Sequence, residues 1–287
     1  MTSFFGVVFD GVAYGSLLFL ISVGLSITLG LMNFVHLAHG VFAMLGGYIA
    51  VTVMSAMGVS YWVALPVAFI ATAMVGAVFE RLLYRYFYDA GPLDQTLLCI
   101  GVVLMSMATA TYVWGPQQQA VTLPDALRGN IEFAGLELGR FRIFVIAVVA
   151  VITLALTGLI EKTVFGAQVR ASVDNRQAAA GLGIGVDVLF TLCFALGTGL
   201  AGLGGALAAD VIGLDPAFPI KYMVYFLLVV AVGGAGSIKG PLIAAFFLGL
   251  CDVAGKYYLP QVSAFAIYVV MVVMLVLFPA GLYGRRA

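Results

Sequence analysis

Asn33, His36 and His39, within GLMNFVHLAHG (Gly30 to Gly40), recur at i, i+3 and i+6 and so fall on nearly one helical face. Two histidines at such spacing raise metal binding first. Zinc takes three or four ligands, however; the chain has 2 His in all, and Cys99, Cys193 and Cys251 lie inside apolar runs without CxxC spacing. No metal, cofactor or disulfide is therefore expected. Two readings remain for the cluster. It is either a broken helix start whose side chains cap backbone groups, or a polar constriction beside a translocation path, because polar groups at membrane depth are costly unless paired or wet.

Glycine carries two further patterns. Gly197, Gly199 and Gly202 spell GxGxxG, yet no strand precedes them and no acidic ribose partner follows in a βαβ unit, so the dinucleotide reading fails. Small residues four apart (Gly197, Ala201 and Gly205, or Gly202 and Ala206) instead let two helices approach closely in lipid, and Gly11 with Gly15 is a weaker case. In VGGAGSIKGPLIAAFFLGL (Val232 to Leu250), Gly233, Gly234, Gly236 and Gly240 with Pro241 forbid a continuous helix, so freed backbone groups must be met by neighbouring protein or a cavity. Gly233, Gly234 and Gly236 thus join Asn33, His36 and His39 as candidates for lining a path. A phosphate loop needs Gly-Lys-Ser/Thr, whereas Lys239 follows Ile238 and precedes Gly240. If ATP drives this protein, another polypeptide binds it.

The isolated acids are Asp10, Asp210, Asp215 and Asp252. Asp10 and Asp252 lie either in the hydrocarbon, as candidate proton or substrate groups, or at its edge. No nucleophile, base and orienting residue occur together, so no enzymatic activity is expected.

The remaining polar chemistry is concentrated in one loop, Glu161 to Asp187. It holds Glu161, Lys162, Gln168, Arg170, Asp174, Asn175, Arg176, Gln177 and Asp187 in a chain that is only 9% charged. AQVRASVDNRQAAAG reads as a short surface helix with a glycine stop at Gly181 and Gly183. Such a loop is a handle for something in water.

These groups must be held by elements that live in lipid. At 63% hydrophobic residues and a mean hydropathy of +1.15, no ordinary core absorbs the apolar surface. The uninterrupted apolar runs exclude a β-barrel, and a net charge of zero leaves no footprint for nucleic acid. The expected fold is an all-α polytopic membrane protein. On a ruler of roughly 20 residues per span, spans fall near Gly6 to Leu31, Leu37 to Met57, Tyr61 to Glu80, Leu93 to Trp114, Arg142 to Ile160, Val188 to Ala209, Tyr222 to Val232, Pro241 to Tyr258 and Ser263 to Phe278. The seventh and eighth are short and glycine-rich, either two tilted spans or a broken re-entrant pair, which gives eight or nine crossings. The first run lacks a preceding Lys or Arg and is expected to be a permanent span.

Lys and Arg set the orientation. In a nine-span count Arg81, Arg85, Lys162, Arg170, Arg176, Lys239, Arg285 and Arg286 share one side, against Arg128, Arg140, Arg142, Lys221 and Lys256 on the other. This puts the handle and the C-terminus in the cytoplasm and the N-terminus outside. The longest segment on the outer side, Gly115 to Phe141, is broken by Pro116, Pro124, Gly129 and Gly135 and reads as a small folded loop. No soluble domain is expected; residues 1–287 form one membrane domain.

Taken together, GLSITLGLMNFVHLAHGVFAMLGGYIA, ERLLYR (Glu80 to Arg85), FGAQVRASVDNRQAAAGLGIGVD, VGGAGSIKGPLIAAFFLGL and the terminal FPAGLYGRR resemble the branched-chain amino acid ABC transporter permeases, specifically the LivH type. The resemblance covers nearly the whole chain. It implies that residues 161–187 form a cytoplasmic coupling loop seated on an ATPase subunit, with Arg170, Asp174, Asn175, Arg176, Ala178, Ala179 and Gly183 at the matching positions. It also implies a bacterial inner-membrane location, a periplasmic loop at 115–141, and an assembly with a second, LivM-like permease subunit, two cytoplasmic ATPase subunits and a periplasmic substrate-binding protein. Where the family commonly has Asn in an NFAHG motif, this chain has His36, followed by Leu37, Ala38, His39 and Gly40, which leaves the solute open. Branched-chain or other neutral amino acids lead; urea, short amides and aromatic acids are carried by relatives. An ion-coupled secondary transporter is the rival reading.

Overall fold

The computed structural model describes residues 2–283 apart from 33, 35, 134–135, 235, 262 and 279–280. Asn33, Gly135, Arg285 and Arg286 therefore lie outside the described residues. In chain order the helices are α1 (Thr2–Met32), α2 (His39–Met57), α3 (Tyr61–Leu82), α4 (Pro92–Trp114), α5 (Arg140–Lys162), the short α6 (Val164–Asp174) and α7 (Arg176–Gly181), then α8 (Val186–Val211), α9 (Phe218–Gly233), α10 (Lys239–Tyr258) and α11 (Ser263–Leu277). Seven of the described helices are long and apolar enough to cross a bilayer alone. The two remaining span positions are filled by α9 and α11, of 16 and 15 residues. At 1.5 Å per residue these reach about 24 Å, short of a hydrocarbon core of about 30 Å.

The bundle is organised around α8, and small residues explain why. Gly197 sits against Gly24 of α1, where an added Cβ would lie 2.9 Å from the Gly24 carbonyl oxygen. Gly202 meets Gly46 of α2 and Thr72 of α3, and a Cβ there would lie 2.6 Å from the Thr72 Cβ. The GxGxxG pattern is thus a helix-crossing seam, as small residues permit in lipid where no hydrophobic force draws helices together. Gly11 and Gly15 play the same part between α1 and α10, opposite Leu250 and the Ala245–Phe246 backbone. Protein encloses most of α1, whereas α4 and α5 present most of their surface outward.

Separate sets of contacts tie the two ends of the bundle. Arg85 to Asp187, Lys239 to Glu161, and a bond from the Leu282 amide to the Val232 carbonyl tie one end together, the handle end. The Arg142 to Asp10 pair and a bond from the Gln119 amide to the Leu214 carbonyl tie the other. α9 runs from Pro219, packed on Gly40 at the start of α2, to Gly233 at the handle end, and α10 runs from there back to Asp252 and Lys256 at the far end.

Re-entrance occurs elsewhere. The His39 Nε2 lies 2.9 Å from the Ile21 carbonyl, so α2 begins beside a residue 11 positions, about 16 Å, short of the α1 end at Met32. The 115–141 loop also holds an antiparallel hairpin, β1 (Asn130–Phe133) with β2 (Leu136–Gly139), which the helical reading of the chain did not foresee.

Candidate functional site: the handle and the broken helices above it

The handle is two helices, not the single helix expected. Thr163 caps α6 by accepting from the Gly166 amide at 3.2 Å. Asn175 then leaves helical geometry (φ −156°, ψ 102°), and its Oδ1 accepts from the Ala178 amide at 2.9 Å, capping α7. An Asn that satisfies an orphan amide ends one helix and starts the next. Gly183, at φ 84°, closes α7 with the Ile184 amide bonded to the Ala179 carbonyl and its own amide to that of Ala180, the paired bonds of a Schellman stop.

Both helices are pinned to the bundle. The Arg170 guanidinium donates to the Ile160 carbonyl at the end of α5, and Gly166 packs so closely on Ile160 that a Cβ would lie 2.6 Å from its Cα. Arg176 lies 3.5 Å from Asp187, which also pairs with Arg85 at 3.0 Å, and its guanidinium stands 5.0 Å from the Phe190 ring centre. Behind them Glu80, only 2% exposed, accepts from the Tyr88 hydroxyl and the Thr191 hydroxyl, each at 2.7 Å. A cavity of about 230 Å³ opens among Glu80, Arg81, Arg85, Tyr88 and Asp187. Burial, with the bond to Glu80, pushes the Tyr88 phenol well up, so it stays a donor at any physiological pH.

Arg170 and Arg176 are thus turned back on their own chain, Asn175 caps, and Ala179 is buried. Asp174, Ala178 and Gly183 are exposed, together with Val173 and Leu182. The sequence reading did not assign Glu80, Tyr88 and Thr191 to the site. A lone Glu at the end of an apolar run was the available signal.

Of the path candidates, His36 and His39 are fully buried. The His36 ring stands 4.6 Å from Tyr84 and 5.0 Å from Phe194, with Phe42 and Phe34 beside it, and among the described residues neither of its nitrogens has a hydrogen-bonding partner. Since a carbonyl can only accept, the His39 Nε2 carries the proton given to Ile21. No group of three or more His, Cys, Asp or Glu among the described residues is placed to share an ion.

Gly234 and Gly236 adopt φ of 95° and 78°, which favours glycine. Neighbouring protein meets the freed groups. The Gly236 amide donates to the Ser26 carbonyl at 3.0 Å, the Ser26 hydroxyl to the Ser237 carbonyl at 2.9 Å, and the Tyr283 amide to the Gly233 carbonyl at 3.1 Å.

A family model described as "Branched-chain amino acid transport system / permease component" matches residues 7–278. The high-affinity branched-chain amino acid transport system permease protein LivH of Salmonella typhimurium is 26% identical over 96% of this chain and 94% of its own length. A probable branched-chain amino acid transport permease protein LivH of Methanocaldococcus jannaschii is 26% identical over 95% of this chain and 90% of its own. Among solved structures, PsaBC from Streptococcus pneumoniae in complex with Fab aligns with a TM-score of 0.52 at 11% identity, covering 93% of this chain and 89% of that one, a likeness of fold alone.

Proposed function

The chain belongs to the branched-chain amino acid transport permease family, and from that premise we propose that it is the membrane subunit of an ABC importer, passing branched-chain or other neutral amino acids and worked through its handle by a separate ATPase. The observation that carries this is the handle itself. Two short capped helices are clamped to the ends of α5 and α8, yet they turn Asp174, Ala178, Leu182 and Gly183 outward. A rigid, polar, externally exposed lever joined to two spans can pass a push from a bound enzyme into the bundle as a rigid-body movement. The chain has no phosphate loop, so the engine is a different polypeptide.

In this reading the handle end is cytoplasmic, which the excess of Lys and Arg there supports. The protein sits in a bacterial inner membrane beside a LivM-like second permease, with two ATPases below and a periplasmic binding protein on the 115–141 side. Arg170, Asn175 and Ala179 shape the handle, Arg176 orients it, and Asp174, Ala178 and Gly183 face the ATPase. His36, His39 and the Gly233 to Gly236 break border the path. Here the histidines are closed into aromatic packing, so a path past them opens only when α2 and α8 separate.

Co-expression of the tagged chain with its neighbouring transport genes tests the reading. An ATPase subunit should co-purify in a handle-dependent manner. A chain that purifies alone and accumulates solute on a proton gradient would mean an ion-coupled transporter instead.

A further inference from the structure

The cavity of about 230 Å³ at the handle end, between the close of α3 and the start of α8, holds more positive charge than the chain balances. Glu80, Arg81, Arg85 and Asp187 all line it. Glu80 is 2% exposed, and its two oxygens are taken by the Tyr88 and Thr191 hydroxyls. Asp187 is therefore the one outward carboxylate, and it is divided between Arg85 at 3.0 Å and Arg176 at 3.5 Å. Arg81 has no hydrogen bond and no ion pair among the described residues. Even with Glu80 counted, three guanidiniums meet two acids; Asp89, close by in sequence, does not line the space.

A single arginine at the end of a span is ordinarily met by water. This one shares a concavity with a second guanidinium whose own partner is divided and about half exposed, and ion pairs so placed are weak. A group with three acceptor oxygens can take Arg81 and Arg85 together through parallel N–H bonds, which the divided Asp187 carboxylate does not. Size limits the ligand. The space is below the roughly 300–1,000 Å³ of pockets for drug-sized molecules, so it suits a phosphate group and not a whole nucleotide. Leu82, Tyr86 and Val188 are exposed around it, at the level where the apolar runs of α3 and α8 end. Basic pockets between span ends on the cytoplasmic side take anionic headgroups.

We propose that this cavity binds a phosphate group between Arg81 and Arg85, drawing Arg85 from Asp187. Two sources carry that chemistry, the headgroup of an anionic phospholipid and free phosphate, and the exposed apolar rim favours the lipid. The assignment goes beyond the transport reading and does not depend on it, since every residue involved belongs to this chain.

The test uses the full-length chain purified in detergent. One arm counts phosphatidylglycerol, against phosphatidylethanolamine, retained in native mass spectrometry; the other measures radiolabelled inorganic phosphate by equilibrium dialysis. Arg81→Gln removes the unpaired cation, and Arg140→Gln, at an exposed position of the opposite end, makes the same change of net charge away from the cavity. Val188→Trp narrows the cavity and keeps every charge. Melting temperature checks folding, and if Arg81→Gln does not fold, Val188→Trp carries the test. The expected result is a loss of phosphatidylglycerol of roughly tenfold or more in Arg81→Gln and Val188→Trp but not in Arg140→Gln, as removal of a charge-assisted bond implies. Loss of inorganic phosphate with the lipid unchanged assigns the site to the free anion. Equal loss in Arg81→Gln and Arg140→Gln, binding that either folded cavity variant leaves intact, or no retention of either probe by the unmodified chain overturns the proposal.

Discussion

The Lys239 Nζ lies 3.5 Å from the Glu161 Oε1, which joins the first residue of α10 to the last turn of α5, two residues before the handle cap Thr163. The Gly233 to Gly240 break is therefore held from two sides, by Glu161 and by Ser26 of α1. In the proposed function a movement of the handle reaches α10 through Glu161, and α1 only by way of the glycine break.

Lys239→Glu should uncouple without unfolding. Both partners are more than half exposed, so the pair itself is worth only about 0–1 kcal/mol and thermal stability should hardly change. ATP hydrolysis by the assembled complex should continue while uptake falls several-fold, and Glu161→Lys in the same chain should restore it. Equal loss of both activities in the single variant, with no rescue, would show the contact to be passive.

Charge reversal of Arg170 and Arg176 to Glu should abolish ATPase association while leaving membrane insertion intact. Each acts by holding the handle, Arg170 on the Ile160 carbonyl and Arg176 on Asp187. If orientation is what Arg176 supplies, Arg176→Glu with Asp187→Arg should recover association relative to Arg176→Glu alone. A normal pull-down of the Arg170 and Arg176 double variant would contradict the coupling role.

Gly199→Leu should destabilise the bundle. A Cβ there already lies 3.0 Å from the Ala73 Cβ and the Phe69 ring, and overpacking of this kind costs roughly 1–3 kcal/mol. Gly101→Leu on the outward face of α4, where nothing lies within 4 Å, serves as the control and should melt no lower than the parent in detergent.

Removing Glu80 should loosen the handle end from within. In Glu80→Ala the Tyr88 and Thr191 hydroxyls lose their shared acceptor; Thr191 keeps the Asp187 carbonyl at 3.0 Å, so the half-buried Tyr88 hydroxyl bears most of a cost of about 1–3 kcal/mol, whereas Glu80→Gln retains an acceptor and should cost less. Melting temperatures of the two variants, taken together, check the order.

Periodicity and apolar run length made the spans legible, since lipid imposes both on any chain that crosses it. The glycine seam of α8 was legible for the same reason, because only close backbone approach explains Gly197, Gly199 and Gly202 in an apolar helix. Charge marked residues 161–187 as a stretch apart from the long apolar helices, but the division at Asn175 was not legible, because an Asn inside a helical pattern gives no sign of whether its side chain caps. The re-entrant start of α2 at His39 depends on a carbonyl 18 positions away, and the Glu80 to Thr191 bond spans 111. Local pattern carries no record of such pairings. Pro and Gly in the 115–141 segment announced turns but left the hairpin register unspecified.

Uptake into proteoliposomes decides most directly between a driven permease and an autonomous one. Chain and partner permease should accumulate radiolabelled leucine only when the ATPase subunits, binding protein and ATP are all present, and Arg170→Glu with Arg176→Glu should remove that accumulation. Concentrative uptake by the purified chain alone, with no ATPase and no ATP, would contradict a permease worked through its handle.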